Sequence, residues 1–214
     1  MEYILFDLDG TLTNPKLGIT KSVQYALESK GIVIENPDVL TKHIGPPLQT
    51  SFMEYGFNED EAQELIVKYR EYYSVTGIYE NEVYDGMEEL LHRLKQAGKS
   101  IYTATSKPEP YAKIILEHFR LDQYFDDICG ATMDGSRSEK EDVIRYALRK
   151  NGITDLSKVV MIGDRKHDIE GAKRVGVSSI GVLFGYGSRE ELSLAGADQL
   201  ADSVEDLYDL IMNR

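Results

Sequence analysis

Tyr3-Ile4-Leu5-Phe6-Asp7-Leu8-Asp9-Gly10-Thr11-Leu12-Thr13 decides how the rest of the chain is read. Its first four residues are an unbroken apolar run rich in β-formers, which predicts a strand buried on both faces. Two aspartates stand where that run ends. In an extended chain, side chains at i and i+2 share a face, so Asp7 and Asp9 are expected to aim together out of the strand's carboxyl end. Open α/β sheets place their ligands at that end. Gly10 lets the backbone turn at once, and Thr11 supplies a hydroxyl beside the pair. A calcium loop would need a glycine at its sixth place, and counting from Asp7 that place is Leu12, so an EF-hand is excluded. Taken alone, the stretch is still compatible with a plain solvated turn.

Three later segments carry further polar candidates, two of them at strand ends. Ser100 to Ala104 reads as a strand, and Thr105-Ser106-Lys107-Pro108 follows it just ahead of a helix. Hydroxyls there suit a phosphate oxygen, although Ser and Thr before a helix also serve as ordinary caps. Lys140 opens a helix that buries Val143, Ile144, Ala147 and Leu148. A lysine in a first turn opposes the helix dipole, a local conflict of the kind found at working sites, whereas read singly it is a surface lysine. Lys158-Val159-Val160-Met161-Ile162-Gly163-Asp164 is a second apolar strand ending in a carboxylate. Asp168 lies four residues on, and an i, i+4 spacing along a helix lets Asp164 and Asp168 approach one point. Each acid can be explained separately as a cap or first-turn acid, but that leaves two strands both ending in acidic pairs unexplained.

Between the first strand and the resumed α/β alternation lie about seventy residues of helical pattern, too long for a connection. The expected division is a catalytic core of residues 1–13 and 85–214 with an inserted helical cap of residues 14–84. Within the insert, Ile19, Val23, Ala26 and Leu27 form one stripe, and Asn58 with Glu61 resembles a capping box. Gly45-Pro46-Pro47 cannot be regular structure. It reads either as a rigid turn or as a loop touching substrate. Tyr69, Tyr72 and Tyr73 read as cap core and surface. Farther on, Phe184-Gly185-Tyr186-Gly187 reads as a flexible turn, and Ser188 with Glu191 as another capping box.

With 214 residues, 42% hydrophobic and 29% charged, the chain has the composition of a soluble globular protein. A net charge of −13 disfavours nucleic acid and anionic membranes as partners. No apolar run approaches the roughly 20 residues of a membrane helix, and the single cysteine, Cys129, excludes an internal disulfide, so a cytoplasmic protein is expected. The histidines His43, His92, His118 and His167 are scattered and form no zinc pair. Four aspartates gathered at one sheet edge would repel by about 4 kcal/mol for a pair 4 Å apart at an effective dielectric of 20. Such a site is stable only with a cation or with some groups protonated, and oxygen-only ligands beside a phosphate favour Mg2+.

Asp7-Leu8-Asp9-Gly10-Thr11-Leu12-Thr13, Thr105-Ser106, Lys140 and Gly163-Asp164 with Asp168 resemble, in order, the four motifs of the haloacid dehalogenase superfamily of phosphatases. Several C-terminal phrases are similar to its phosphoglycolate phosphatase branch. The resemblance implies an α/β fold, a Rossmann-like parallel sheet with a small helical cap inserted after the first strand. It implies Asp7 as nucleophile, Asp9 as general acid and base, and Thr105 and Lys140 as phosphate-binding catalytic groups. Substrate binding falls to Thr11, Ser106 and the cap loop Gly45, Pro46 and Pro47. Mg2+ is carried by Asp7, the Asp9 backbone carbonyl and Asp164, with Asp168 acting directly or through a water. The implied activity is hydrolysis of a small phosphorylated metabolite, such as phosphoglycolate or a nucleoside monophosphate, through an aspartyl phosphate. Dehalogenases of the family lack the second aspartate, so Asp9 argues against them. A sugar phosphomutase, a pyrophosphatase, a phospho-acceptor domain and a catalytically silent binding domain are the competing readings. The oligomeric state, monomer or dimer, is not legible.

Overall fold

A computed structural model of the protein describes residues 1–213. The chain divides into two compact units, one of residues 1–14 and 83–214 and the other of residues 15–82. The first is an α/β unit on a five-stranded sheet. Its strands are β1 (Tyr3–Phe6), β4 (Ser100–Thr103), β7 (Val159–Gly163), β8 (Ser178–Val182) and β9 (Gln199–Ala201), in the order β4-β1-β7-β8-β9. Every neighbouring pair is parallel, with Tyr3 opposite both Ser100 and Val159.

Parallel strands need helical crossovers, and these cover both faces of the sheet, which is why β1 and β7 are continuous apolar runs. Ile4, Leu5, Phe6 and the whole of Val159–Ile162 are fully buried. On one face Leu5, Tyr102, Val159 and Met161 pack against Val143, Ile144, Ala147 and Leu148 of α6 (Lys140–Lys150) and against Ala172 and Val175 of α7 (Lys166–Val175). Helices α4 (Met87–Gln96) and α9 (Val204–Met212) pack against each other.

From β1 the chain crosses to β4 on one side, then returns past β1 to β7 on the other. That reversal puts the carboxyl ends of β1 and β7 side by side at a switch point, where open α/β sheets bind ligands. Both of those strands run directly into an aspartate.

Two details differ from the sequence reading. Thr105–Pro108 stands just ahead of helix α5 (Glu109–His118), as expected, but is itself a short strand, β5, parallel to β6 (Gly130–Ala131). Strand β1 also ends at Phe6. Three amides, those of Thr11, Leu12 and Thr13, then donate to the Leu8 carbonyl, so Asp9 lies in a tight turn instead of extending the strand.

The second unit is helical. It holds α1 (Lys16–Glu28), a 3-10 segment Pro37–His43, α2 (Leu48–Met53), α3 (Glu59–Tyr72) and a π-helical turn Tyr73–Gly77. Ile19, Val23, Ala26 and Leu27 of α1 are buried, as are Ala62, Leu65, Ile66 and Tyr69 of α3. Tyr69 and Tyr73 stack with ring centroids 5.2 Å apart. Asn58 and Glu61 cap α3 reciprocally, each side chain accepting the other's backbone N–H at 3.0 Å. Gly18 lies so close to the Gly77 carbonyl that a Cβ would stand 1.9 Å from its oxygen, which makes room only for glycine.

Candidate active site

Every aspartate and lysine in the buried class among the described residues belongs to one pocket at the carboxyl edge of the sheet: Asp7, Asp9, Lys107, Lys140, Asp164 and Asp168. Asp7 leaves β1, its N–H still donating to the Ile162 carbonyl at 2.8 Å. Asp164 leaves β7 one strand over. Carboxylate oxygens of Asp7, Asp164 and Asp168 all lie within 4.8 Å of one another.

Asp164 and Asp168 do not share a helical face as the i, i+4 spacing suggested. Helix α7 begins at Lys166, so Asp164 is in the strand-to-helix loop and Asp168 folds back from the first turn. Asp168 Oδ2 accepts the Arg165 N–H at 3.0 Å. Asp164 is held from two sides, with Oδ1 accepting the Thr11 hydroxyl at 3.3 Å and Oδ2 accepting the Tyr186 N–H at 2.8 Å.

Lys140 is buried in the first turn of α6. Its ammonium lies 2.9 Å from Asp7 Oδ1 and 2.7 Å from Asp168 Oδ1, and it donates to the Ala104 carbonyl at 3.0 Å. Burial opposes its charge, but the carboxylates of Asp168 and Asp7 outweigh that and raise its pKa. The adverse helix dipole at this position is thus compensated by two buried acids.

Glycines make these approaches possible. A Cβ on Gly10 would meet Asp164 Oδ2 at 2.2 Å, one on Gly163 would meet Asp168 Cγ at 2.1 Å, and one on Gly187 would meet the Asp164 carbonyl at 1.9 Å. The Phe184-Gly185-Tyr186-Gly187 segment, which the sequence marks as flexible, is pressed onto Asp164 and supplies one of its hydrogen bonds.

The electrostatics are those of a pocket short of positive charge. Burial raises the pKa of Asp164 well above the carboxylate range, and Asp168 and Asp7 push it further. Burial likewise raises Asp168 to about 6, with Lys140 opposing. Asp9 is raised by burial against the pull of Lys107. Asp7 Oδ1 and Asp168 Oδ1 face Lys140 as ion pairs without an aligned hydrogen bond, and Asp9 Oδ1 has no hydrogen-bond partner. Four carboxylates against two ammonium groups leave two negative charges uncompensated. Oxygen donors with that deficit fit a divalent cation.

The sequence singled out further residues. The buried Thr105 hydroxyl accepts the Lys107 N–H at 3.1 Å, and Ser106 is half-buried beside it on β5. The Asp9 carboxylate does not join the cluster of three but lies against Lys107. Gly45-Pro46-Pro47 links the 3-10 segment to α2 in the second unit, with Gly45 at φ 100°. Residues the sequence reading passed over are Lys107, whose ammonium contacts Asp9 Oδ2, and Tyr186, whose hydroxyl donates to Asn14 Oδ1. Only the Gly-Tyr-Gly spacing around Tyr186 carried a signal that the backbone there approaches something closely.

The fold and its pocket define the class: an open, parallel α/β protein carrying buried carboxylates and lysines at the carboxyl edge of its sheet. Residues 4–182 match the haloacid dehalogenase-like hydrolase family, and the chain belongs to it, among its phosphatases. A 5'-nucleotidase of Pseudomonas aeruginosa is 50% identical over 192 residues, 88% of this chain and 86% of that one. The tyrosine-protein kinase PtkA of Mycobacterium tuberculosis is 42% identical over 187 residues, 87% of this chain but 63% of that protein. Phosphoglycolate phosphatases of two Vibrio species match over nearly the whole chain. Among solved structures, a predicted phosphatase from Clostridium acetobutylicum superposes with a TM-score of 0.96 at 49% identity, covering 100% of this chain and 99% of that one. No helix among the described residues is long and apolar enough to cross a membrane.

Proposed function

We propose that the protein is a Mg2+-dependent phosphatase that hydrolyses a small phosphomonoester of the nucleoside monophosphate or phosphoglycolate type through an aspartyl phosphate on Asp7. The observation that carries this reading is the buried group Asp7, Asp164 and Asp168 with Lys140 set between Asp7 and Asp168. Asp7, Asp164 and Asp168 would hold Mg2+, with the Asp9 carbonyl contributing; bound there it would offset charge on the phosphoryl oxygens.

Asp7 attacks phosphorus, and the bond from phosphorus to the leaving alcohol breaks as the new bond to the Asp7 carboxylate forms. Asp9, whose carboxyl burial holds above the ordinary range, gives its proton to the leaving oxygen. It then takes a proton from the water that attacks the aspartyl phosphate, releasing phosphate and restoring Asp7. Lys140 and the Thr105 hydroxyl oppose charge on the equatorial oxygens, where catalysis of phosphoryl transfer mainly acts. Thr11 and Ser106 complete the polar lining. Residues 15–82, with Gly45-Pro46-Pro47, serve as the cap that selects the leaving group.

Likeness to the P. aeruginosa 5'-nucleotidase at 50% identity favours nucleoside 5'-monophosphates as the substrate class. Likeness to PtkA favours a second reading, transfer of the Asp7 phosphate to a protein tyrosine instead of water. The test is phosphate release from a panel of nucleoside 5'-monophosphates, phosphoglycolate and hexose phosphates with and without Mg2+, for the wild type and Asp7→Asn. Asp7→Asn is expected to fall to about 1% or less of wild-type turnover with an unchanged circular dichroism spectrum. Retention of more than a few per cent would remove Asp7 as nucleophile, and Mg2+-independent release would remove the metal.

A further inference from the structure

Lys107 has no part in the mechanism above, yet it is one of only two lysines in the buried class among the described residues. An ammonium is withdrawn from water at a cost of several kcal/mol unless it is paired, so its placement is specific. Strand β5 fixes it. The Lys107 N–H donates to the Thr105 hydroxyl, and the side chain runs to Asp9, 98 positions away in sequence, where its ammonium contacts Oδ2. The other oxygen, Asp9 Oδ1, is buried and has no hydrogen-bond partner. Asp9 itself sits in the turn that follows β1, not on the strand, so the backbone alone leaves its carboxyl rotor free.

We propose that Lys107 is a positioning residue. It grips Oδ2 so that the carboxyl plane of Asp9 is fixed and Oδ1 is the oxygen that exchanges the proton with the leaving group and with water. This rests on the reading of Asp9 as general acid and base. The proton balance is simple: the Oδ1–H bond breaks as the leaving alkoxide is protonated, and Oδ1 is reprotonated by the water whose oxygen joins phosphorus. A loose carboxyl would spend most of its time misaimed, and positioned proton transfer is worth about 10^2 to 10^4 in rate.

The consequence is a dependence on the leaving group. Benzyl phosphate and p-nitrophenyl phosphate have similar shape, but benzyl alkoxide needs a proton to leave and p-nitrophenolate hardly does. For Lys107→Met, kcat/KM on benzyl phosphate is expected to fall by about 100-fold and on p-nitrophenyl phosphate by less than about 5-fold, with Lys107→Arg recovering most of the benzyl activity. Asp9→Asn on the same two esters separates the two levels. If Asp9→Asn lowers both esters equally, the general-acid reading of Asp9 is wrong and the inference falls with it. If Asp9→Asn is selective for benzyl phosphate and Lys107→Met is not, the role of Lys107 is overturned while that of Asp9 stands. The double variant Asp9→Asn/Lys107→Met, which removes both members of this ion pair, is expected to be no worse than Asp9→Asn alone on benzyl phosphate. Multiplicative losses would refute a shared function even if Lys107→Met folds poorly.

Discussion

Asp164→Asn should make the metal-free protein more stable, not less. The carboxylate oxygens of Asp7, Asp164 and Asp168 lie within 4.8 Å of one another. At an effective dielectric of 20, two unit charges at that separation repel by about 3.5 kcal/mol. Lys140 offsets this for Asp7 and Asp168, whereas no ion pair places a cation on Asp164 among the described residues. Its pKa is raised instead. For a carboxyl raised in the folded state, the folded protein binds the proton more tightly than the unfolded chain. Stability is then full below the unfolded pKa near 3.8 and is lost as pH rises through the folded value. Asp168 alone, raised to about 6, implies a loss of about 3 kcal/mol between pH 4 and pH 8. Asparagine carries no charge in either state, keeps an acceptor for the Tyr186 N–H and can donate to the Thr11 hydroxyl. In chelator at pH 8, Asp164→Asn should therefore exceed the wild type by about 2 kcal/mol, or about 4–8 °C in Tm, and the two should converge near pH 4. Saturating Mg2+ should reverse the order, since the wild type gains about 2.7 kcal/mol at 100 times Kd and the variant little. Thermal melts at pH 4, 6 and 8, with chelator and with Mg2+, decide it. A variant no more stable than wild type in chelator at pH 8, or an equal Mg2+ shift in both proteins, would refute the account of a charge-deficient cation pocket.

Lys140→Met should leave Asp7 and Asp168 facing each other unpaired, costing about 3–5 kcal/mol at pH 8 and less at pH 5, below the raised pKa of Asp168 of about 6; melts at the two pH values check it. Gly187→Ala should force the 184–187 segment away from the Asp164 carbonyl, against which a Cβ would stand at 1.9 Å. The Mg2+ concentration that half-stabilises the protein is then expected to rise about 10- to 100-fold, read from the Tm titration, with secondary structure retained.

How much of this was legible depended on whether the signal was local. Strands β1 and β7 were readable because burial on both faces demands apolar residues at every position, and a carboxylate ending such a run is conspicuous. The Asn58 and Glu61 capping box was readable because both partners lie within one turn. Ser188 and Glu191 show the same spacing, but only half of the box forms: Ser188 accepts the Glu191 N–H, while the Glu191 carboxylate goes to Arg165 and Lys166. Competition from residues 25 and 26 positions away cannot be read from four. Lys107 failed for the same reason, since a buried lysine looks like an exposed one until its partner is known. That Thr105–Pro108 is itself a strand was not legible, because what makes it one is pairing with the two residues Gly130–Ala131, too short a run to announce itself.

The two lysines divide the pocket's labour in a way that the aspartates alone do not reveal. Lys140 spans Asp7 and Asp168, and Lys107 takes Asp9, so the uncompensated charge is concentrated at Asp164. Asp164 is also the carboxylate most tightly walled by glycine backbone, with Gly10, Gly185 and Gly187 all within a side chain's width. A carboxylate that is denied a lysine, denied water by burial and fixed by Thr11 and Tyr186 is destabilised wherever no cation joins it. On the proposed reading that strain would be the source of affinity, because a divalent ion would gain most where the protein has left the negative charge unmatched. Asp164 is thus the one member of the buried acidic triad that no lysine contacts among the described residues, since Lys140 is committed to Asp7 and Asp168 and Lys107 to Asp9.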